Sequence, residues 1–210
     1  MTGEILSEKQ NEVVLEGYST GAYWENRMDM MYYRYVDYIL RIVGKDAQSL
    51  IDIGTANCPY LEWFDWIPQR ISFDQAPPYS SKNVIGMQGD FLTHDFGRRF
   101  DLCTCLQVLE HIPDAQTFAR RLLEIADTVV VSVPYKWGAG AVKGHVQDPV
   151  DRQKLRRWFG RKPNYSVIVN EPFLDPQRLV AVYHRDPTKW FTKAEMRMRV
   201  KRHGLGKTQA

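Results

Sequence analysis

A chain of 210 residues is long enough for one domain with a full hydrophobic core. With 44% apolar and 25% charged residues it reads as globular and not disordered, and no apolar run approaches the roughly 20 residues of a membrane span. The net charge of +3 is uneven: from Lys189 to Ala210 seven basic residues stand against one acidic, so this tail carries +6, the remainder sums to −3, and nothing outside the tail calls for a polyanionic partner.

The opening MTGEILSEKQNEVV has no basic-then-apolar pattern, so no leader peptide is expected. Residues 22–43, AYWENRMDMMYYRYVDYILRIV, place Met28, Met31, Tyr35, Tyr38 and Ile42 at helical spacing. This predicts an aromatic amphipathic helix whose apolar face either joins the core or walls a small-molecule pocket. An alternating series follows. SLIDI (49–53), RISFD (70–74), part of NVIGMQGD (83–90), FDLCTCL (100–106) and TVVVSVP (128–134) read as five mostly apolar strands. A short helix is expected over PYLEWFDWI (59–67), with Pro59 in its first turn, and another from Asp114 as N-cap, with Phe118, Leu122 and Ile125 on one face. After a short helix at 151–159, YSVIV (165–169) and RLVAVY (178–183) are joined by a connection too short for a helical crossover. They should therefore pair antiparallel. The expected fold is α/β: a Rossmann-like, doubly wound, seven-stranded mixed sheet with five parallel strands and a C-terminal antiparallel hairpin.

In such a sheet ligands bind at the carboxyl ends of the strands. The first strand ends in Asp52-Ile53-Gly54, where Gly54 permits a tight turn and a close approach of backbone to ligand. The second ends at Asp74, 22 residues after Asp52, near the spacing of about 20 at which one carboxylate holds both hydroxyls of a ribose. The third leads into Asp90-Phe91, suited to an adenine amino group and ring. The loop DIGTANC (52–58) lacks the further glycines of a dinucleotide fingerprint, with Ala56, Cys58 and Pro59 in the way. A pyrophosphate needs those glycines, because backbone N–H groups must cradle it. A sulfonium nucleoside does not, and an acidic residue in the first strand suits its ammonium group. The expected cofactor is accordingly S-adenosylmethionine (SAM).

Residues 45–185 resemble the class I SAM-dependent methyltransferases. The resemblance rests on DIGTANC, Asp74, Gly89-Asp90-Phe91, the closing strand pair, and above all FDLCTCLQVLEHIPD (100–114), whose V-L-E-H-I-P-D matches the segment after the fourth strand in small-molecule members. It implies that Asp52 and Gly54 lie at the methionine end, Asp74 at the ribose, Asp90 and Phe91 at the adenine, and Leu106 and Gln107 near the sulfonium. It also implies a lid over residues 1–44, a SAM-binding domain over 45–187 and a separate basic tail over 188–210. Arg27 or Tyr23 of the lid is a candidate for the methionine carboxylate.

The long loop YKWGAGAVKGHVQDPVD (135–151) leaves the carboxyl end of the fifth strand, where substrate contacts are expected. His145, three residues before Asp148, is a candidate base for a hydroxyl acceptor, with His111 as a second catalytic candidate. Ala76-Pro77-Pro78-Tyr79 reads as a proline turn, since it follows the second strand and not the fourth. Cys103 and Cys105 share one face of a strand as core thiols, and no metal site is expected. Three cysteines do not make a disulfide framework, which fits a reducing cytoplasm. The expected activity is methyl transfer to oxygen or nitrogen of a small-molecule or saccharide-type acceptor, with nucleic acid not expected as a partner. The alternatives are an RNA or protein methyltransferase guided by the tail, or a non-catalytic nucleotide-binding relative.

Overall fold

The computed structural model describes residues 24–172 and 176–189. Tyr23, the start of the expected lid and residues 190–210 of the basic tail lie outside them. Seven strands form one sheet: β1 (Ser49–Ile53), β2 (Gln69–Asp74), β3 (Ile85–Gln88), β4 (Phe100–Leu106), β5 (Ala126–Pro134), β6 (Tyr165–Asn170) and β7 (Gln177–His184). Their order is β3-β2-β1-β4-β5-β7-β6. The first five are mutually parallel, and β7 runs antiparallel to both neighbours, β5 and β6. This is the mixed sheet expected from the strand pattern.

Two helices cover one face: α2 (Ala115–Ile125) and α3 (Arg152–Phe159). Each starts on an aspartate whose carboxylate accepts a backbone N–H from three residues on, in the first turn: Asp114 from Thr117 and Asp151 from Lys154. Phe118, Leu122, Leu155 and Trp158 pack there against Ile51, Cys103, Val129 and Val131. The other face is covered by α1 (Met31–Val43) and by a short 3-10 helix over Pro59–Phe64. Neither β2–β3 nor β3–β4 is joined by a regular helix. All three cysteines are buried and unpaired. No helix among the described residues is long and apolar enough to cross a membrane.

The N-terminal helix differs from expectation in start and in facing. It begins at Met31, because Met30 is extended with ψ 138°. Its buried residues are Tyr32, Tyr33, Val36, Ile39, Leu40 and Ile42. Of the stripe read from the sequence, Met28, Tyr35 and Tyr38 are 37%, 37% and 36% exposed. Nearly every position from 28 to 43 is apolar or aromatic on one side or another, so two overlapping helical stripes compete. Packing against the sheet selects the one with the aliphatic residues Val36, Ile39 and Leu40, which meet Leu50, Val130 and Val180 in the second core.

Helix α1 has no capping side chain from its own sequence. The cap comes from Glu171, 140 residues away, whose Oε2 accepts from Met31 N at 2.7 Å and whose Oε1 accepts from Tyr32 N at 3.3 Å. Arg178 Nη1 donates to the same Oε1 at 3.2 Å, with the two side chains 7% and 3% exposed. A buried ion pair thus ties the N-terminus of α1 to the far edge of the sheet.

Candidate active site

β1 lies between β2 and β4, so the sheet order reverses there, and the carboxyl end of β1 is where sheets of this kind bind ligands. Gly54 turns the chain at this point with φ +79°, and its N–H donates to Phe73 O at 2.8 Å. A Cβ at Gly54 would come within 2.4 Å of Val108 Cγ2. Gly54→Ala combines that overlap with a left-handed residue, which alone costs about 1–2 kcal/mol. The expected result is a fall in melting temperature of at least roughly 2–8 °C. Gly138→Ala is the control, since nothing lies within 4 Å of a Cβ there. Equal melting temperatures for the two variants would contradict this reading of the turn.

Ala56, where the nucleotide-loop pattern would put glycine, does adopt the left-handed conformation, at φ +47°. Asp74 helps hold it there: its Oδ2 accepts from Ala56 N at 2.8 Å, and its Oδ1 from Ala76 N at 2.9 Å. Tyr79 N donates to Ala56 O at 3.1 Å, so the proline turn of residues 76–79 braces the same loop. Asp74 is half-buried, and each carboxylate oxygen keeps a second lone pair for a ligand hydroxyl.

Asp52 is 2% exposed and sits in register between Ser72 of β2 and Thr104 of β4. Tyr60 donates its hydroxyl to Asp52 Oδ1 at 2.5 Å and Thr104 donates to the same oxygen at 2.6 Å. Burial pushes the Asp52 carboxyl up to about 6 despite these bonds. Tyr60 and Thr104 were not singled out in the sequence. Thr104 follows from strand register once β1 and β4 are paired, whereas Tyr60 depends on the turn that brings the 3-10 helix back. Trp24, Tyr33 and Trp63 gather beside Tyr60, with the Tyr33 and Tyr60 rings 5.4 Å apart. Aromatic residues of the N-terminal segment thus pack against Tyr60, the residue that hydrogen-bonds Asp52.

Asp90 begins a turn, its Oδ1 accepting from Leu92 N at 2.9 Å. The Phe91 ring is buried in the core, 4.5 Å from Phe118 and 6.5 Å from Phe73. Leu106 ends β4 nearly buried. Gln107 follows with φ +58°. Its amide donates to Ser132 Oγ at 3.0 Å, while its Oε1 accepts from Arg178 Nε at 3.3 Å. Arg178 therefore links the expected sulfonium side of the crevice to Glu171 and to α1. The signal in the sequence was a single arginine heading an otherwise apolar strand.

The loop of residues 135–151 folds back on the segment after β4. Glu110 O accepts from Val146 N at 2.9 Å and Gln147 N at 3.1 Å, and Gln147 Nε2 donates to Ile112 O at 2.9 Å. This brings His145 to His111, with ring centroids 4.7 Å apart, and stacks Trp137 on His145 at 5.8 Å. His145 Nδ1 bonds Asp148 Oδ2 at 2.6 Å, the orientation expected from their spacing. His111 Nδ1 lies 3.0 Å from Gly144 O. Burial, then the neighbouring His145, holds His111 below the usual imidazole range. Glu110 is fully buried. Burial pushes its carboxyl up to about 8.

No protein-family model matches the sequence, and no curated protein matches it. Solved structures do match in fold. The N-methyltransferase NodS from Bradyrhizobium japonicum WM9, in complex with S-adenosyl-L-homocysteine (SAH), superposes with a TM-score of 0.65 at 14% identity, covering 82% of this chain and 97% of that one. Magnesium protoporphyrin IX methyltransferase (ChlM) from Synechocystis PCC 6803 with bound SAM gives 0.52 at 16% identity, covering 72% and 79%. The N-terminal domain of EvdMO1, in the presence of SAH and D-fucose, gives 0.52 at 13% identity, covering 72% and 82%. The seven-stranded α/β architecture of this chain is the fold of the class I SAM-dependent methyltransferases.

Proposed function

We propose that this protein is a SAM-dependent methyltransferase that transfers a methyl group to oxygen or nitrogen of a small-molecule or saccharide-type acceptor. The observation that carries this reading is the placement of three carboxylates at the carboxyl ends of three adjacent parallel strands. Asp52 and Asp74 lie at the ends of β1 and β2, Asp90 follows β3, and Gly54 turns the chain just after Asp52 at the reversal of sheet order. In this reading Asp52 faces the ammonium end of SAM, Asp74 its ribose, and Asp90 with the Phe91 segment its adenine. Leu106 and Gln107 border the sulfonium. Structures of this fold were solved with SAM or SAH, one of them in the presence of D-fucose, which is consistent with SAM as cofactor and with a saccharide-type acceptor.

Methyl transfer is an in-line displacement at the sulfonium, so the protein's share is orientation and exclusion of water. An amine acceptor need only be neutral, whereas a hydroxyl must lose a proton. His111 and His145 are the residues we place on that acceptor side, with Asp148 orienting His145. The loop of residues 135–151 would close over the acceptor.

Titration calorimetry of the full chain tests the reading. SAM and SAH should each bind with one site per chain, and NAD should not. Absence of SAM and SAH binding at millimolar concentration would remove the proposal, and NAD binding in their place would favour a dinucleotide reading.

A further inference from the structure

Beyond methyl transfer, the geometry points to a divalent metal site formed by Glu110, His111 and His145, with Asp148 as the residue that orients His145. One ligand-type atom of each of the three residues lies within 4.8 Å of the others. Three features of this cluster bear on what it binds.

The first is the tautomer of each imidazole. Asp148 Oδ2 and Gly144 O are both acceptors, and both meet an Nδ1, at 2.6 Å and 3.0 Å. Each Nδ1 must therefore carry the proton. In a neutral imidazole that leaves the lone pair on Nε2, so both histidines present Nε2 as an acceptor. A histidine whose Nδ1–H is held by a carboxylate or backbone carbonyl, with Nε2 free, is the arrangement found around metal-bound imidazoles.

The second is Glu110. It is 0% exposed, and neither carboxylate oxygen has a hydrogen-bond partner among the described residues. A buried carboxyl group with neither oxygen partnered is costly whether or not it carries a proton. Ligand-type atoms of two imidazoles and this unpartnered carboxyl converge. A cation at their centre satisfies all three.

The third is the fit. Atoms 4.8 Å apart at the corners of a triangle lie about 2.8 Å from its centre, so ligand bonds of about 2.0–2.1 Å in tetrahedral geometry need each atom to move inward by about 0.9 Å. Small rotations of the side chains supply that. Two nitrogens and one carboxylate select a first-row transition ion such as zinc, cobalt or manganese over magnesium or calcium, which prefer oxygen. Three protein ligands leave a position open, as in catalytic and not structural sites. An ion on Nε2 makes His145 a ligand and not a base. A hydroxyl acceptor would then be activated by coordination. That last consequence rests on the methyl-transfer reading, whereas metal binding does not.

The test uses the untagged full chain, stripped with a chelator and titrated with Co(II), followed by its visible d–d absorption and by calorimetry. One Co(II) per chain should bind in the micromolar range, with bands of nitrogen–oxygen coordination, and Zn(II) should displace it. Glu110→Gln and His145→Ala should each weaken binding by at least ~100-fold, and His184→Asn should leave it unchanged. Asp148→Asn should weaken binding by roughly 10–100-fold while keeping the band positions, as expected of a residue that only orients a ligand. The inference is overturned if the wild type binds no Co(II) at millimolar concentration. It is equally overturned if Glu110→Gln binds as tightly as the wild type, or if Glu110→Gln only raises the melting temperature of a protein that binds no metal. In that last case Glu110 is a buried neutral acid. SAM calorimetry on the metal-free chain separates the two proposals: SAM binding without Co(II) binding removes only the metal site, and the reverse removes only the methyltransferase reading.

Discussion

Replacing Arg178 by alanine should destabilise the protein by about 3–5 kcal/mol, because it strands the buried Glu171 carboxylate. For a chain of this size that corresponds to a fall in melting temperature of roughly 6–20 °C. The contrast is Arg34→Ala. Its ion pair with Asp29 has side chains 50% and 84% exposed, so solvent screening and side-chain entropy leave it worth less than about 1 kcal/mol. Arg178 has three further attachments that alanine removes. It donates to Gln107, and its guanidinium lies 4.6 Å from the Tyr32 ring and 5.5 Å from the Trp137 ring. SAM affinity should therefore fall together with stability, because Gln107 loses one of its two side-chain anchors. Replacing both members of the pair, Arg178→Met with Glu171→Met, should recover part of the loss, since no charge is then left buried alone. It should not recover all of it, because the cap of α1 is worth about 1 kcal/mol in its own right. Thermal unfolding of the two single variants and the double variant forms a closed cycle. A double variant less stable than either single one would show that the pair acts mainly as a cap and not as a buried ion pair.

Asp52→Asn should act in the opposite direction on stability and strongly on binding. The folded protein holds the Asp52 proton up to about pH 6, against an ordinary value of 3.8. Between those two values the native state binds more protons than the unfolded chain, so this group's contribution to stability falls as pH rises through the window. Above it the cost of keeping the buried charge is complete, on the order of 2–3 kcal/mol. Asparagine retains an oxygen to accept from Tyr60 and Thr104 and carries no charge. Its melting temperature should exceed that of the wild type at pH 8, and the advantage should vanish below about pH 4. Binding should suffer, since a carboxylate–ammonium hydrogen bond is worth about 1.5–3 kcal/mol, or roughly 10–100-fold in SAM affinity. For the wild type, SAM affinity should decline as pH drops through about 6, where Asp52 takes up its proton. Unfolding curves at pH 4 and pH 8, with calorimetry at pH 8, decide the matter. A destabilised Asp52→Asn at pH 8 would contradict the burial argument, and unchanged SAM affinity would remove Asp52 from the ammonium end.

Both expectations turn on contacts between residues distant in sequence, which marks how far the sequence alone reaches. Strand β4 was read as residues 100–106 and is observed as Phe100–Leu106, and the cap of α2 at Asp114 is also as expected. These features depend on neighbouring residues: side-chain alternation or continuous burial, β-branched content, and an aspartate placed before a helical stripe. The antiparallel closing pair was legible for a similar reason, since the connection from β6 to β7 is too short to cross the sheet. The positions of Asp52, Gly54 and Asp74 at strand ends were legible too, because a strand boundary and a turn residue are local facts.

The start of α1, its buried face and the surroundings of the candidate site were not local. Met30 carries no capping chemistry, and the carboxylate that ends the helix's unpaired N–H groups comes from Glu171. The face of α1 was decided by what the sheet presents to it. Asp52 reads in the sequence as a strand-end acid, but its proton affinity is raised by complete burial, against the hydrogen bonds from Thr104 and Tyr60 that lower it. Glu110, His111 and His145 span 36 positions of the chain and meet only because the loop after β5 hydrogen-bonds back onto Glu110 O. The sequence by itself determined the strands, their directions and the acids at their ends, because periodicity and turn chemistry act over a few residues. Tertiary structure alone decided which of those groups are buried, capped or brought together, because desolvation and hydrogen bonding depend on neighbours in space.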